Sequence, residues 1–136
     1  MKTDAVSVAQ AFIAAINRHS VNDMGELMSE AHTFIDSLGR KVSGRQAMVA
    51  GWKAYLALFP DFEIHVESIV ADNELVAIFG RACGTYNGKR GPVPENRIMM
   101  PCAWKAIAKD GKLELWQVYA DWTEGMKTIE RETGNG

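Results

Sequence analysis

Residues 97–122, RIMMPCAWKAIAKDGKLELWQVYADW, contain two runs of β-forming residues separated by Asp110 and Gly111. An Asp-Gly pair between such runs is typical of a tight antiparallel hairpin. The preceding run at residues 74–86, ELVAIFGRACGTY, continues the pattern, and the Gly- and Pro-rich residues 87–96 connect it to the hairpin. With FEIHVESIV at residues 62–70, these segments predict four long antiparallel strands.

The N-terminal half favours helices. The first helix has its apolar residues at helical spacing and Asp4 as its cap, its buried face being Ala5, Val8, Ala9, Phe12, Ile13 and Ile16. Ser20 and Asp23 predict the start of a short second helix. Ser43 and Gln46 predict a third, whose apolar face is Met48, Trp52, Tyr55, Leu56 and Phe59 and which ends at Pro60. The alternating HTFIDS at residues 32–37 predicts a short strand before that helix.

Size and charge exclude several classes of protein. The chain has 136 residues, 47% of them hydrophobic, and a net charge of -2, which predicts one domain over residues 1–136. We expect an ordered core at about residues 4–123 and a tail that is partly helical or frayed. Without a basic stripe, nucleic acid and membrane surfaces are not expected partners. The N-terminus lacks the uninterrupted apolar core of a signal peptide, so a cytoplasmic protein is expected.

No pattern indicates a metal or a cofactor. The histidines and cysteines do not fall at zinc spacings, and there is neither a P-loop nor a dinucleotide fingerprint before a helix. Cys83 and Cys102 lie on neighbouring predicted strands, where a disulfide is conceivable. We favour the reduced form, because buried free cysteine behaves as a small hydrophobe.

Both faces of the predicted hairpin are apolar. Met100, Cys102 and Trp104 share one side of their strand, and Met99 and Pro101 share the other. One face must pack on the helices. We expect the opposite face, with Trp104, Trp116, Val118 and Trp122, to bury itself against a second subunit. The alternative is an intramolecular cover by the C-terminal tail.

Two stretches carry a family resemblance. Residues 11–44, AFIAAINRHSVNDMGELMSEAHTFIDSLGRKVSG, resemble the N-terminal half of SnoaL-like polyketide cyclases and ketosteroid isomerases. Residues 110–122, DGKLELWQVYADW, resemble their last strand. The resemblance places the chain in the nuclear transport factor 2-like superfamily, also called the cone fold. It implies an α+β domain whose curved antiparallel sheet wraps around N-terminal helices and encloses an apolar pocket.

The resemblance also implies roles for two carboxylates. Asp36 matches the proton-transferring base of ketosteroid isomerases, but Phe12 and Ala103 stand where those enzymes place their two oxyanion donors. A steroid isomerase of that mechanism is therefore not expected. Asp121 matches the acid or base of SnoaL-like cyclases. The Arg-x-Asp spacing of limonene epoxide hydrolases is absent after Arg97, so that activity is not expected either.

These observations define a candidate site. The catalytic pair is Asp36 and Asp121, and the expected ligand-binding residues are Phe12, Ile16, His32, Phe34, Trp52, Tyr55, Phe59, Met99, Gln117 and Tyr119. Tyr55, Tyr119 or Trp52 would supply the missing hydrogen bond to an oxyanion. Each carboxylate has a second interpretation, since Asp36 can cap the turn at residues 37–39 and Asp121 can be an exposed strand-end group.

Three classes of function remain open. The first is an acid/base enzyme that transfers a proton next to a carbonyl of a small apolar compound, in an isomerisation, aldol-type cyclisation or dehydration. The second is a non-catalytic domain that binds such a compound, and the third is a dimeric association domain. The loop at residues 86–96 is expected either as a lid, with Lys89 and Arg90 favouring an anionic group, or as a solvent loop.

Overall fold

The computed structural model describes residues 4–134, which form an α+β fold of four helices and a six-stranded sheet. The helices are α1 (Ala5–Asn17), α2 (Val21–Leu27), α3 (Arg45–Leu58) and α4 (Thr123–Thr133). The strands are β1 (Met28–Ile35), β2 (Lys41–Ser43), β3 (Glu63–Asp72), β4 (Leu75–Thr85), β5 (Arg97–Lys109) and β6 (Lys112–Ala120). The fold class predicted from the sequence is confirmed.

The sheet has the order β2-β1-β6-β5-β4-β3 and is not closed. Neighbouring strands are antiparallel except β1 and β6, which run parallel, so the sheet is mixed. The β5–β6 hairpin turns at Asp110 and Gly111, both with positive φ, as the Asp-Gly pair indicated. No helix within residues 4–134 has the length and apolar character needed to cross a membrane.

Helix α1 packs on the sheet through the predicted face. Asp4 accepts a hydrogen bond from the Ser7 amide at 2.8 Å, which confirms it as the N-cap. Phe12 is fully buried, with its ring centroid 4.9 Å from that of Trp116 in β6 and 6.2 Å from that of Trp52 in α3. One side chain thus joins two helices and the middle of the sheet.

Helix α3 begins one residue later than its sequence suggested. Its N-cap is Gly44, at φ 106°, and no side chain caps it. Ser43 instead ends β2, and its hydroxyl lies 3.2 Å from that of Thr33 across the β1–β2 pair. The predicted capping box at Ser43 is therefore wrong, because a cross-strand hydrogen bond takes the side chain that would have capped the helix.

The tryptophans settle which sheet face is inside. Trp104 pairs with Val118, and its neighbour Ala106 pairs with Trp116, so both indoles point the same way. Both are buried and stack with centroids 6.5 Å apart. Trp122, just beyond β6, packs edge-on against Phe59 at 6.0 Å. The expectation that Trp104, Trp116 and Trp122 form an outer dimer face is wrong, because strand alternation turns the two strand tryptophans toward the helices and Trp122 packs on the residue that ends α3.

The C-terminal segment is an ordered helix rather than a frayed tail. Glu132 of α4 is buried and accepts from the Arg90 guanidinium at 2.7 Å. Arg131 donates to the Glu95 carbonyl and to the Asn96 side chain, both at 3.1 Å. The connection at residues 87–96 therefore packs on α4, and this ion pair occupies Arg90, one of the two cations expected at a lid.

The curvature of the sheet has a visible cause at its edge. Strand β3 carries a bulge between Val66 and Ser68, opposite Gly80 of β4. A bulge bends and twists its strand. A Cβ atom on Gly80 would lie 2.0 Å from the His65 carbonyl oxygen, so only glycine lets the bulged backbone lie this close.

Replacing Gly80 by alanine should therefore lower the free energy of unfolding by about 1–3 kcal/mol, because the bulged backbone must move away. Gly84→Ala on the same strand is the matched control, since a Cβ there meets its nearest atom at an ordinary 3.4 Å. Chemical denaturation of both variants measures the difference. Equal stabilities would show that the bulge tolerates a side chain at position 80.

Candidate functional site

The inner face of the sheet, α3 and the β1–β2 loop enclose a cavity of about 330 Å³. This volume lies within the range of small-molecule sites. Strands β4, β5 and β6 contribute a floor of six side chains, Ala82, Met100, Cys102, Trp104, Val118 and Ala120. Helix α3 contributes the wall with Trp52 and Tyr55, and the loop contributes the polar mouth. The site is thus an apolar chamber with charge at one end.

Asp36 lies at that mouth and caps the turn between β1 and β2. Its Oδ1 accepts from the amides of Leu38 and Arg40, both at 2.9 Å, and its Oδ2 accepts from the Arg40 Nε at 2.9 Å. Partial burial raises the pKa of Asp36, but the hydrogen bonds from Arg40 and Leu38 outweigh it and hold this pKa below its usual range. Asp36 therefore caps the turn and also lines the cavity.

Asp121 lies elsewhere. It accepts from the Thr123 amide at 3.0 Å and from the Thr123 hydroxyl at the start of α4. These hydrogen bonds lower the pKa of Asp121, which is exposed and does not line the cavity. The structure does not bring Asp36 and Asp121 together as a catalytic pair, because the chain turns into α4 directly after β6.

The other predicted site residues divide into three groups. Phe34, Trp52 and Tyr55 line the cavity. Four others are buried behind its wall without lining it: Phe12, Ile16, His32 and Phe59. The remaining three, Met99, Gln117 and Tyr119, lie on the outer face of the sheet, so their expected place in the pocket is wrong. Strand parity explains the error, because the residues next to them, such as Val118, point inward.

Sequence reasoning missed the cavity floor and Arg40. The alternation of Met100, Cys102 and Trp104 on one side of β5 was visible in the sequence, and only the choice of side was not. Arg40 gave no signal, since it lies in a turn. Asp36 and Arg40 are the charged side chains among the described residues that line the cavity.

Neutral hydrogen-bond donors line the interior. Burial raises the pKa of the Tyr55 hydroxyl well above its usual range and raises the pKa of the Cys102 thiol to about 11. The Trp52 Nε1 is buried and has no hydrogen-bond partner within residues 4–134. At neutral pH the cavity therefore offers uncharged donors inside and a carboxylate at its mouth. No cluster of three or more His, Cys, Asp or Glu side chains suited to a metal ion occurs in the described part of the chain.

The two cysteines face away from each other. Cys102 pairs with Gly80 and lies on the inner face, whereas Cys83 pairs with Met99 and lies on the opposite face. Both are free thiols. A disulfide between them would require the sheet to rearrange.

His32 is a core residue with one open nitrogen. Its Nδ1–H donates to the Leu113 carbonyl at 2.9 Å, and its Nε2 is buried without a partner in the described residues. Desolvation lowers the pKa of His32 and outweighs the Leu113 hydrogen bond and the Glu114 charge. The ring is therefore held neutral in the folded protein.

Folding stability should consequently fall with acidification between pH 7 and 5. Below about pH 6.5 the unfolded chain binds a proton at His32, whereas His32 in the folded chain stays neutral. The free energy of unfolding is therefore highest above pH 6.5 and falls by up to about 1.4 kcal/mol for each pH unit below it. In His32→Asn, where the amide replaces the Nδ1 donor, urea unfolding should show a flatter pH dependence. The control is His65→Asn on the outer face, whose ring is half exposed. An unchanged slope in His32→Asn would assign the dependence to other groups.

A mixed curved sheet packed on N-terminal helices around one apolar cavity defines a cone-fold domain. The family model for the SnoaL-like domain matches residues 9–116, and the chain belongs to this family. A comparison with curated protein sequences found no match.

Solved structures share the fold at low sequence identity. A candidate SnoaL-like polyketide cyclase from Jannaschia sp. CCS1 superposes with a TM-score of 0.80 at 18% identity, covering 94% of this chain and 92% of that one. An LEH-like epoxide hydrolase of M. tuberculosis gives 0.78 at 18% identity, covering 96% and 92%. A protein with a ketosteroid isomerase-like fold from Catenulispora acidiphila gives 0.75 at 17%, covering 95% and 93%. These likenesses concern the fold, which hosts several chemistries.

Proposed function

We propose that the cavity binds a small, largely apolar carbonyl compound and that Asp36 exchanges a proton with the carbon next to its carbonyl group. The observation that carries this proposal is the position of Asp36, a carboxylate at the mouth of a chamber whose interior is apolar in the described structure. Isomerisation, aldol-type cyclisation and dehydration all begin with such a proton transfer.

The geometry supplies the parts that this step needs. Two backbone amides hold Oδ1 of Asp36, so the oxygen that takes the proton is Oδ2, whose single hydrogen bond comes from the Arg40 Nε. The C–H bond breaks, its electrons move into the enolate, and the same carboxyl group returns the proton to the product. Tyr55 and Trp52 lie in the chamber wall as neutral donors for the enolate oxygen, where apolar surroundings strengthen a hydrogen bond. Asp121 is not needed for this cycle.

Binding without turnover is the second candidate. The hydrogen bonds from Arg40 and Leu38 lower the pKa of Asp36, and a carboxylate stabilised in this way is a weak base. In that case Asp36 would orient a ligand in the cavity without accepting its proton.

Exchange of hydrogen for deuterium separates the two candidates. With the bicyclic ketone tetralone as probe in deuterated water, the wild type should exchange the hydrogens next to the carbonyl faster than buffer does. Asp36→Asn should slow this exchange by about 100-fold, and Tyr55→Phe by about tenfold or more, because they remove the base and the enolate donor. Proton NMR measures the exchange as the loss of the signal from these hydrogens.

Asp121→Asn is the matched control, since the asparagine Oδ1 can still accept from the Thr123 amide and the residue lies outside the cavity. Its exchange rate should equal that of the wild type. A wild type that binds tetralone but does not exceed the buffer rate would rule out proton transfer to this probe and leave binding as the function.

We also propose that a second copy of the chain covers the outer sheet face, through residues other than the tryptophans. Phe79, Ala103 and Tyr119 form a row across β4, β5 and β6. Phe79 and Tyr119, and Met99 farther along β5 on the same face, are each about half exposed. Two copies related by a two-fold axis can place this apolar row against itself, and homodimer interfaces are more apolar than ordinary surface.

Phe79→Glu should therefore convert a dimer to a monomer, because a pairing about a two-fold axis would bury both new carboxylates. Sedimentation equilibrium gives the assembly state. Met126→Glu, which replaces an exposed apolar side chain on α4, should leave the dimer intact. A monomeric wild type at high protein concentration would contradict the interface.

We propose that the protein works in the reducing cytoplasm. Two free thiols on opposite faces of one sheet are consistent with that environment.

A further inference from the structure

The mouth of the cavity holds one cation. Arg40 lies beside Asp36 at the end of a chamber whose other described lining side chains carry no charge. A purely apolar ligand would form no hydrogen bond or ion pair with this guanidinium group. The residue therefore bears on which ligand the cavity accepts.

The guanidinium of Arg40 is only partly used. Its Nε donates to Oδ2 of Asp36, while its two Nη groups have no hydrogen-bond or ion-pair partner among residues 4–134. Its side chain is 74% exposed, so it can rotate at little cost. A guanidinium has five N–H donors in a planar fork that matches a carboxylate. Four of these five N–H groups remain available to a ligand at the mouth.

We propose that the ligand is an amphiphilic anion, whose apolar carbonyl-containing body fills the cavity and whose carboxylate binds Arg40 at the mouth. This inference rests on the proposed function and adds the class of substrate. The matching of charge is its basis, because an anion placed next to Asp36 is repelled unless a cation lies between the two groups.

The contact between the ligand carboxylate and Arg40 also makes Asp36 a stronger base. Oδ2 of Asp36 has one donor, the Arg40 Nε, whereas Oδ1 keeps two backbone amides. When the ligand carboxylate binds the Nη groups and draws the guanidinium toward itself, the Nε–Oδ2 hydrogen bond breaks, while the two amides on Oδ1 keep the carboxyl group oriented and the cation stays between the two anions. A carboxylate that has lost a hydrogen bond and shares its cation with a second anion binds a proton more readily. The ligand thus makes Asp36 a stronger base at the moment when its own C–H bond lies in the cavity.

Two fluorescent probes with the same aromatic body test the anion site. Anilinonaphthalene sulfonate carries a negative charge, and phenylnaphthylamine is its uncharged counterpart. Titration of the full chain with each probe gives the two dissociation constants, and displacement of one probe by the other shows whether they share the cavity. Raising the salt concentration should weaken the binding of the sulfonate alone.

Arg40→Gln should weaken the binding of the sulfonate by about fivefold or more and leave the affinity for phenylnaphthylamine unchanged, because only the charged contact is lost. Arg40→Lys keeps the charge and should recover part of the affinity. Arg45→Gln is the matched control, since Arg45 is a half-exposed arginine outside the cavity. It should bind both probes as the wild type does.

The outcomes separate the two proposals. Suppose that phenylnaphthylamine binds. If Arg40→Gln then leaves the sulfonate affinity unchanged, or if the sulfonate fails to displace phenylnaphthylamine, the anion site is overturned and the proposal of a small-molecule cavity is retained. If phenylnaphthylamine does not bind at all, the small-molecule cavity itself is overturned and the anion site with it.

Carbon NMR of the Asp36 carboxyl tests the coupling. The pKa of Asp36 should rise when the sulfonate saturates the wild type, and should already be higher in free Arg40→Gln. No other charged side chain among the described residues lines the cavity, so the change reports on Arg40 and the bound anion. An Asp36 pKa that is the same in free and saturated protein would show that the anion does not release the carboxylate.

Discussion

The contact between Phe12 and Trp116 connects the first helix to the centre of the sheet, and the position of the cavity depends on it. Trp116 stacks on Trp104 in the adjacent strand, so the orientation of one indole is coupled to the other. Once both point toward the helices, alternation sends Met100, Cys102 and Val118 to the same side. Packing of one aromatic cluster therefore selects the surface that becomes the cavity floor.

The cavity combines apolar walls with a small number of polar atoms whose states are set by burial. Desolvation keeps the Tyr55 hydroxyl and the Cys102 thiol neutral, because their charged forms would lose contact with water. Asp36 stays ionised because it remains at the mouth and receives three hydrogen bonds. The division between neutral interior and charged mouth follows from depth and from the hydrogen bonds to Asp36, without a second carboxylate.

The turn at Asp36 serves the fold and the site with the same atoms. The amides that end β1 and shape the turn also orient the carboxylate toward the cavity. This double use explains why the residue is both a structural cap and the best candidate base. It also explains its reduced basicity, since every hydrogen bond that fixes the turn stabilises the charged form.

The sequence by itself determined the fold class, the first two helices with their caps at Asp4 and Ser20, and the Asp110-Gly111 turn. These features depend on local periodicity and turn chemistry, which a single segment contains. Tertiary structure decided which face of β5 and β6 points inward, because both faces are apolar and alternation alone fixes only relative orientation. It also decided the place of Asp121, which the start of α4 removes from the cavity, and of Arg40, which a turn brings to its mouth.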